Sequence, residues 1–176
     1  MNKYIVLLRA INVSGKNIIK MADLKEKLQL VGFVNVHTYI QSGNILLESE
    51  NNSSEIMKQI NSLIKDEFSL DIDIFVLTKH ELRESLEQNP FSKDLPGNRV
   101  FITFLDKELH STQVEEFKKL NLSPEEYLIN KKCFYFYLPE GMANSKLNNN
   151  FIEKKFNVKS TGRNINTINK MLDLSS

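Results

Sequence analysis

Cations and amides follow the first apolar run of the chain, in the stretch RAINVSGKNIIK at residues 9–20. Arg9 closes the run, and the loop after it carries Asn12, Lys16 and Lys20. Guanidinium and ammonium groups bind phosphate or carboxylate oxygens, and an asparagine amide adds donors for the same oxygens. A guanidinium on an apolar strand face can instead form a structural ion pair or hold a carbonyl, because a buried charge needs a partner. The stretch therefore predicts either an anion site or a structural arginine.

A second group of polar residues occurs late in the chain, in the stretch STGRNINT at residues 160–167. Here we expect a strand end, then Arg163, then a helix opened by Asn164, so that free backbone amides and a guanidinium lie together. Ser145 and Lys146 are predicted to open the preceding helix and to contribute for the same reason. The alternative is a capped helix with a surface arginine.

The stretch TYIQSGN at residues 38–44 reads as a hairpin turn over Gln41–Asn44. Glycine and asparagine tolerate a positive φ, which such turns require. Turn geometry alone is sufficient to explain these residue types. The functional interpretation uses Tyr39 and Gln41 as hydrogen-bonding groups beside residues 9–20.

The segment AINVSGKN at residues 10–17 comes close to the phosphate-binding pattern G-x-x-x-x-G-K-[ST]. That pattern needs its first glycine for backbone approach to phosphate and its hydroxyl for magnesium, but Ala10 and Asn17 stand at those places. The helix is expected to begin near Met21 and not at Lys16, so its first amides do not continue the loop as the pattern requires. A nucleoside triphosphatase loop is therefore not predicted.

Other catalytic schemes find little support in the residue types. His37, His80 and His110 are scattered and lack the spacing of metal ligands. Cys133 is the only cysteine. It lies in an aromatic strand, where a small buried side chain is its simplest role, and a single cysteine excludes an internal disulfide. We expect neither a metal nor a cofactor.

The composition is that of an ordinary globular chain, with 176 residues, 41% hydrophobic and 26% charged, and a formal net charge of +1. This balance gives no global attraction to nucleic acid or membrane, so an anion preference must come from local clustering. No apolar run reaches the roughly 18 residues of a membrane span, and the run at residues 4–8 is too short for a signal peptide. With one cysteine, a cytoplasmic protein is expected.

Hydrophobic periodicity predicts six helices and seven strands, and the strand expected to end before Arg163 is an eighth. The first helix is marked by Met21, Leu24, Leu28 and Val31, which share one helical face, and Gly32 is its natural stop. The strands are predicted at Lys3–Arg9, Val34–Thr38, Asn44–Glu48, Asp71–Leu77, Arg99–Leu105, Glu126–Ile129 and Cys133–Leu138.

Capping pairs predict where later helices begin. An asparagine or threonine side chain takes a free amide of the first turn, and a glutamate three residues later reaches back. Asn164 is predicted to cap the last helix alone. The predicted pairs are Asn52 with Glu55, Thr78 with Glu81, and Thr112 with Glu115.

The order strand, helix, two strands, helix, strand occurs twice, with the hairpins HTYIQSGNILLES and EEYLINKKCFYFYLP in matching places. This repeat predicts an α+β fold, a tandem duplication of two ferredoxin-like βαββαβ subdomains with antiparallel sheets, plus a C-terminal helix. The first subdomain is predicted at residues 1–78 and the second at 99–176, with a linking helix and loop at 79–98. Lys131 and Lys132 are predicted to turn the second hairpin.

Several strands are apolar on both faces. In the first strand Ile5 and Leu7 face one way, and Val6 and Leu8 face the other. A half-solvated antiparallel strand would alternate apolar and polar residues. We therefore expect that the two halves bury each other's open faces, or that a homodimer partner does so.

Five segments that span nearly the whole chain resemble the DUF1697 family of uncharacterised bacterial proteins. They are LLRAINVSGKNIIKMADLKEKL, GFVNVHTYIQSGNILLES, NPFSKDLPGN, LPEGMANSKLNNNFIEKKF and STGRNINTINKML. The most specific pieces are LLRxIN, GKN, TYIQSGN, SKL and RNxNT. The resemblance implies two ferredoxin-like subdomains and no established activity. Ala10 and Ile165 depart from the family pattern, which usually has glycine and tryptophan there.

These residues lead to the hypothesis of a binding module for a phosphate-bearing ligand, either a nucleotide or nucleic acid. We expect its residues to meet in one pocket of positive potential, although they come from both ends of the chain. One alternative is an enzyme acting on a small anionic metabolite, with Lys16 or Tyr39 as acid or base. The other is a structural protein that forms a homodimer. No membrane partner is expected. The predicted ligand-binding residues are Arg9, Asn12, Lys16, Lys20, Tyr39, Gln41, Ser145, Lys146, Arg163 and Asn164.

Overall fold

The computed structural model of the chain describes residues 1–130 and 132–176. The first half of the element order is β1 (Asn2–Leu8), α1 (Met21–Leu30), β2 (Val34–Tyr39), β3 (Asn44–Ser49), α2 (Ser53–Phe68), β4 (Ile74–Thr78) and α3 (Lys79–Glu87). The second half is β5 (Val100–Leu105), α4 (Ser111–Lys118), β6 (Glu126–Asn130), β7 (Cys133–Tyr137), α5 (Asn149–Phe156), β8 (Ser160–Asn164) and α6 (Ile165–Leu174).

The strands form two four-stranded sheets with the same topology. The strand orders are β2-β3-β1-β4 and β6-β7-β5-β8, and neighbouring strands are antiparallel in both. This α+β arrangement fits two ferredoxin-like subdomains followed by a C-terminal helix, so the predicted fold class is confirmed. The chain divides into two compact units, residues 1–83 with 170–176 and residues 84–169. The division falls inside α3 and inside α6.

The core of the first unit lies between its sheet and the helices α1 and α2. Val6 and Leu8 of β1 are buried in this core with Leu24 of α1 and Ile60 of α2. Each helix contributes residues three or four apart, as the periodicity predicts. Ile5 and Leu7, on the other face of β1, are also buried, so the double-sided apolar pattern correctly predicted burial on both faces.

The core of the second unit is mainly aromatic. Phe117 of α4 packs against Phe134 and Phe156, with ring centroids 5.4 and 5.0 Å apart. Tyr135, on the opposite face of β7, is fully buried, and its hydroxyl donates to the Ser85 carbonyl of α3 at 2.9 Å. The hydroxyl therefore has an acceptor, as a buried polar group requires.

The capping predictions hold for three helices of four. Asn52 and Glu55 form a full capping box at α2. Thr78 and Glu81 exchange the same two hydrogen bonds at α3. The prediction for α4 is wrong, because that helix begins at Ser111, so Thr112 lies inside its first turn and Glu115 instead pairs with Lys118. The fourth cap, Asn164, accepts from the Thr167 N–H of α6 at 2.9 Å.

The end of α1 and the start of β4 also differ from the prediction. Val31 lies after the end of α1 and is exposed. The strand predicted from Asp71 begins at Ile74, because the pairing of β4 with β1 starts there, opposite Leu8. The turn predicted at Lys131 and Lys132 lies partly outside the described residues, which leave out Lys131. Among the helices that the structure describes, none is both long and apolar enough to cross a membrane.

Gly43 is the glycine whose replacement should test this architecture most sharply. Its φ is +77°, and a Cβ there would lie 2.7 Å from the Leu8 Cβ and 2.9 Å from the Ile11 Cδ1. Gly15 has a similar φ of +73° but open space around it. We expect Gly15→Ala to lower the free energy of unfolding by about 1 kcal/mol through backbone strain alone. Gly43→Ala should cost about 3 kcal/mol, because the clash adds to the strain.

Urea unfolding of the two variants measures this difference. Because the two glycines share the left-handed conformation, Gly15→Ala measures the loss of stability from placing alanine at a positive φ without a clash. Equal losses of stability in the two variants would show that the close approach of the turn to β1 is not as the structure has it.

Candidate functional site

Two loops of the first unit lie side by side because β1 and β3 run antiparallel. Leu8 ends β1, and its backbone N–H donates to the Gly43 carbonyl at 2.8 Å, just before β3 begins at Asn44. The chain after β1 (residues 9–20, the basic loop) and the chain before β3 (residues 40–43, the β2–β3 turn) therefore leave the sheet at the same edge.

The tip of the basic loop is a two-residue hairpin. Val13 and Lys16 form a bridge in which the Lys16 N–H donates to the Val13 carbonyl at 2.9 Å. Ser14 and Gly15 between them have φ angles of +49° and +73°, both positive, as a type I′ turn requires. The side chain of Lys16 is exposed beside this tip.

The base of the basic loop is held in a left-handed backbone conformation by its asparagines. Ala10, Asn12 and Asn17 have φ angles of +52°, +53° and +49°. The Asn17 side-chain amide donates to the Ala10 carbonyl at 3.0 Å, and the Asn12 N–H donates to the Asn17 carbonyl at 3.1 Å. Asparagine tolerates this conformation, whereas alanine there costs about 1 kcal/mol. Ala10 therefore stands where glycine would be unstrained.

The side chain of Asn12 joins the basic loop to the β2–β3 turn. Its Nδ2 donates to the Ile19 carbonyl at 2.9 Å and to the Gln41 carbonyl at 2.8 Å. Its Oδ1 accepts from the Ile19 N–H at 2.9 Å. We call these three hydrogen bonds the Asn12 clasp. Both N–H groups of the amide are used, so this side chain acts by positioning the two loops.

The β2–β3 turn contains an unusual backbone. Ile40 has a φ of +49° although it is β-branched, a combination that is sterically unfavourable. Asn44 is fully buried, and its amide donates to the Tyr39 carbonyl at 3.2 Å and to the Ser42 Oγ at 2.9 Å. The prediction of a positive φ at Gly43 is confirmed, but the second such residue is Ile40, because Asn44 is already in β3.

Two lysines of the basic loop present uncompensated charge. The ammonium groups of Lys16 and Lys20 form no hydrogen bond or ion pair with the residues that the structure describes. Lys20 is the N-cap residue of α1, and its side chain makes no capping hydrogen bond. The positive end of the helix dipole therefore adds to the two charges. Asp23 is the one acidic residue in the first turn of α1.

Arg9 lies at the start of the basic loop and not within the strand. β1 ends at Leu8, since its pairing with β4 ends at the Leu8–Ile74 pair. Arg9 is half-buried, and its backbone N–H donates to the Asp73 carbonyl at 3.0 Å. The prediction that Arg9 closes the strand is thus wrong by one residue. Arg9 begins the basic loop at the edge of the sheet where both loops leave it.

Arg163 and Asn164 occupy β8 of the second unit. The prediction that Arg163 follows the last strand is wrong, because Arg163 pairs with Ile102 of β5 and the strand continues to Asn164. Arg163 is buried, and its Nη1 donates to the Thr161 Oγ1 and to the Gly162 carbonyl, both at 2.8 Å. Asn164 uses its Oδ1 as the cap of α6.

Ser145 and Lys146 precede α5 without opening it. The Ser145 Oγ accepts from the Leu147 N–H at 2.9 Å and donates to the Leu147 carbonyl at 3.1 Å. Asn148 caps α5 by accepting from the Phe151 N–H. The prediction that Ser145 and Lys146 open this helix is therefore wrong, since the cap comes two residues later. Lys146 is exposed.

The predicted site residues fall into two groups, one in each unit. Within the first unit the structure brings the basic loop and the β2–β3 turn together through the Asn12 clasp. Within the second unit Arg163 and Asn164 are neighbours in β8. That the two groups share one pocket stays a prediction. The first group is Arg9, Asn12, Lys16, Lys20, Tyr39 and Gln41, and the second is Ser145, Lys146, Arg163 and Asn164.

Sequence reasoning missed three exposed aliphatic side chains among these loops. Val13, Ile18 and Ile40 are 54%, 60% and 50% exposed. The adjacent pair Ile18 and Ile19 was the sequence feature that could have indicated an exposed aliphatic residue. Only Ile19 is buried, and its neighbour Ile18 is exposed. No sequence feature indicated the exposure of Ile40, because its left-handed conformation depends on the turn around it.

A family model described as "Protein of unknown function (DUF1697)" matches residues 1–135. The chain belongs to the DUF1697 family. Its structure is similar to that of the conserved bacterial protein SP0830 from Streptococcus pneumoniae, with a TM-score of 0.77, 24% sequence identity and 99% of each chain covered. This likeness shows a shared fold. No curated protein matches the chain.

The part of this DUF1697 protein that matches the family model includes both loops of the first unit. Residues 1–135 contain the basic loop, the Asn12 clasp and the β2–β3 turn. The segments SKL and RNxNT, at residues 145–147 and 163–167, follow the matched part. The site in the first unit is therefore the one to which the family assignment applies directly.

Cys133 of this DUF1697 protein is a poor nucleophile. Burial raises the pKa of its thiol from 9.0 to about 11. Burial also raises the pKa of the neighbouring Tyr135 hydroxyl. A thiol that keeps its proton is a weak nucleophile and a weak metal ligand. Among the described residues, no group of three or more His, Cys, Asp or Glu side chains is placed to hold a metal ion.

Replacing Asn12 should separate the two loops. Asn12→Ala removes three hydrogen bonds and should lower the free energy of unfolding by about 2 kcal/mol. Asn17→Ala is the matched control, because it also places alanine at a φ near +50° but removes one side-chain hydrogen bond. Urea unfolding should show a clearly larger loss for Asn12→Ala. Amide exchange at Ile19 should accelerate only in that variant, and equal exchange in both would refute the clasp.

Stability should fall at alkaline pH through Cys133. The pKa of the thiol is higher in the folded than in the unfolded protein, so its contribution is fully present below about pH 9. It is lost as pH rises toward the folded pKa of about 11, at no more than about 1.4 kcal/mol per pH unit. Urea unfolding between pH 8 and pH 11 measures the slope. Cys133→Ala should reduce the slope, whereas the buried Tyr135 hydroxyl should keep part of it above pH 10, and an unchanged slope would contradict the assignment.

Proposed function

We propose that this DUF1697 protein binds a phosphate-bearing ligand, a nucleotide or nucleic acid, at the basic loop and the β2–β3 turn. The observation that carries the proposal is the pair of exposed ammonium groups of Lys16 and Lys20 beside an uncapped helix N-terminus. Phosphate oxygens are stabilised by ammonium groups and by the free amides of a helix's first turn. Arg9 begins the same loop, at the edge of the sheet where β1 ends.

The rigidity of the two loops supports binding over simple solvation. Lys16 projects from a two-residue hairpin, and Lys20 follows Ile19, whose N–H and carbonyl are both engaged in the Asn12 clasp. A cation on a fixed backbone loses less conformational entropy on binding than one on a mobile loop. The exposed Gln41 side chain and the half-buried Tyr39 lie on the adjoining turn, where they can form further hydrogen bonds to the same ligand.

The concentration of left-handed backbone in these loops points to the same place. Eight non-glycine residues that the structure describes have positive φ, and five of them are in the basic loop or the β2–β3 turn. Such strain persists where surrounding structure enforces it, and it is frequent at binding sites. The single cysteine suits a reducing compartment, so we place this binding in the cytoplasm.

Titrations with labelled oligonucleotides and with a nucleoside triphosphate should test the proposal at low ionic strength. We expect the double variant Lys16→Ala and Lys20→Ala to weaken binding at least about tenfold. The slope of the logarithm of the binding constant against the logarithm of salt concentration should become shallower by the contribution of about two phosphate contacts. Asp23→Asn should strengthen binding, because it removes the one acid of the first turn of α1.

The matched control is Lys58→Ala with Lys107→Ala, which removes two exposed lysines outside these loops. Binding of similar strength in both double variants would show that the interaction is only a diffuse charge effect. No measurable binding of any phosphate ligand at about 50 mM salt, where such contacts are strong, would reject the proposed function.

A further inference from the structure

The basic loop and the β2–β3 turn carry an apolar surface as well as a positive one. Val13, Ile18 and Ile40 are each at least half exposed, and they alternate with Lys16 and Lys20. The Asn12 clasp brings Ile18 and Ile40 into one region. Its Nδ2 donates to the carbonyls of Ile19 and Gln41, which are the next residues in each loop. We call these five residues the knob. Single exposed aliphatic residues are ordinary, but three in two joined loops indicate a contact surface.

Ile40 is unfavourable in the isolated chain for two reasons. Its β-branched side chain is held at a φ of +49°, and it is 50% exposed to water. The backbone conformation of Ile40 belongs to the turn, but closing the turn does not require an apolar side chain at this position. Covering this exposed side chain would remove apolar surface from water and would be favourable. This favours a state of the protein in which a partner covers the knob.

The opposite end of α1 carries a surface that complements the knob. A groove of about 480 Å³ lies between the end of α1 and α2, lined by Leu30, Val31, Leu63, Lys27, Asp66 and Glu67 among others. We call it the acidic groove. Leu30 is 73% exposed beside it, so its apolar wall is open to solvent.

The charge of the acidic groove is set by Asp66. Lys27 and Glu67 neutralise each other in an ion pair of 2.6 Å. The Asp66 carboxylate has no ion pair with the residues that the structure describes and remains as the net negative charge. An apolar groove with a carboxylate at its rim matches an apolar knob with ammonium groups at its rim.

We propose that the knob of one copy of this chain docks in the acidic groove of a second copy, and the reverse, to form a two-fold dimer. α1 has ten residues and is therefore about 15 Å long, with the knob at its first end and the groove at its last. Two copies with antiparallel α1 helices place each knob opposite the other copy's groove. A two-fold axis closes this contact, so assembly stops at the dimer.

This inference goes beyond the proposed function, and its test uses the protein without any phosphate ligand. Sedimentation over a concentration series up to about 500 µM, a range that includes weak micromolar association, should show the mass rising from 20.4 kDa toward twice that value. Ile18→Ser should weaken association at least about tenfold, and Leu128→Ser, an exposed leucine of β6 outside both surfaces, should not. A protein that stays monomeric throughout overturns the proposal.

Charge reversal tests which surfaces meet. The first variant carries Lys16→Glu and Lys20→Glu in the knob, and the second carries Asp66→Lys and Glu67→Lys in the groove. Each alone should remain monomeric, because a knob then faces a groove of the same sign. Mixing the two should restore a dimer with one copy of each, since both reciprocal contacts then join opposite charges. Thermal melts of all variants confirm that they are folded.

The mixing experiment also distinguishes this dimer from others. Dimers that form in each variant alone, or a mixture that stays monomeric although the unaltered protein dimerises, overturn the knob-and-groove contact. Growth of the unaltered protein beyond the dimer overturns the two-fold arrangement, because a head-to-tail contact forms chains. Each result is independent of phosphate binding, so failure of the proposed function leaves this test intact.

Discussion

The side-chain amide of Asn12 is the interaction on which the candidate site depends. It donates to the carbonyl of Ile19 in the basic loop and accepts from the N–H of the same residue. It also donates to the carbonyl of Gln41 in the β2–β3 turn. The hydrogen bond to Gln41 lies beyond the Leu7–Asn44 pair, where the pairing of β1 with β3 ends. It contributes to the relative placement of Lys20 and Ile40, whose neighbours Ile19 and Gln41 it joins.

Much of the fold could be predicted because it depends on local patterns. Helix faces follow from apolar spacing, and the capping boxes of Asn52 and Thr78 are read directly from residues three positions apart. The same pattern fails at Thr112, where the helix begins one residue earlier than the threonine, so the threonine is already in its first turn. At this helix the capping motif therefore indicates the start only to within two residues.

The candidate site was less predictable because its geometry depends on pairing between distant residues. Arg163 belongs to β8 since it lies opposite Ile102 of β5, and no local property of STGRN requires that register. Ile40 adopts a left-handed backbone that its own side chain disfavours, so a residue-by-residue reading predicts the wrong position in the turn. The basic character of residues 9–20 was visible, but their link to Gln41 passes through a carbonyl, which every residue type has.

The polar residues of these loops divide into two roles, and the division limits what a ligand or partner can touch. The side-chain amides of Asn12, Asn17 and Asn44 donate hydrogen bonds to backbone carbonyls or to Ser42. They hold a conformation in which Ala10 and Ile40 have an unfavourable positive φ. What faces outward is then an alternation of ammonium groups and aliphatic side chains. A small phosphate ligand satisfies only the ammonium groups and leaves the aliphatic ones in water. A protein surface with an acidic rim covers both, and because the two use the same lysines, one excludes the other.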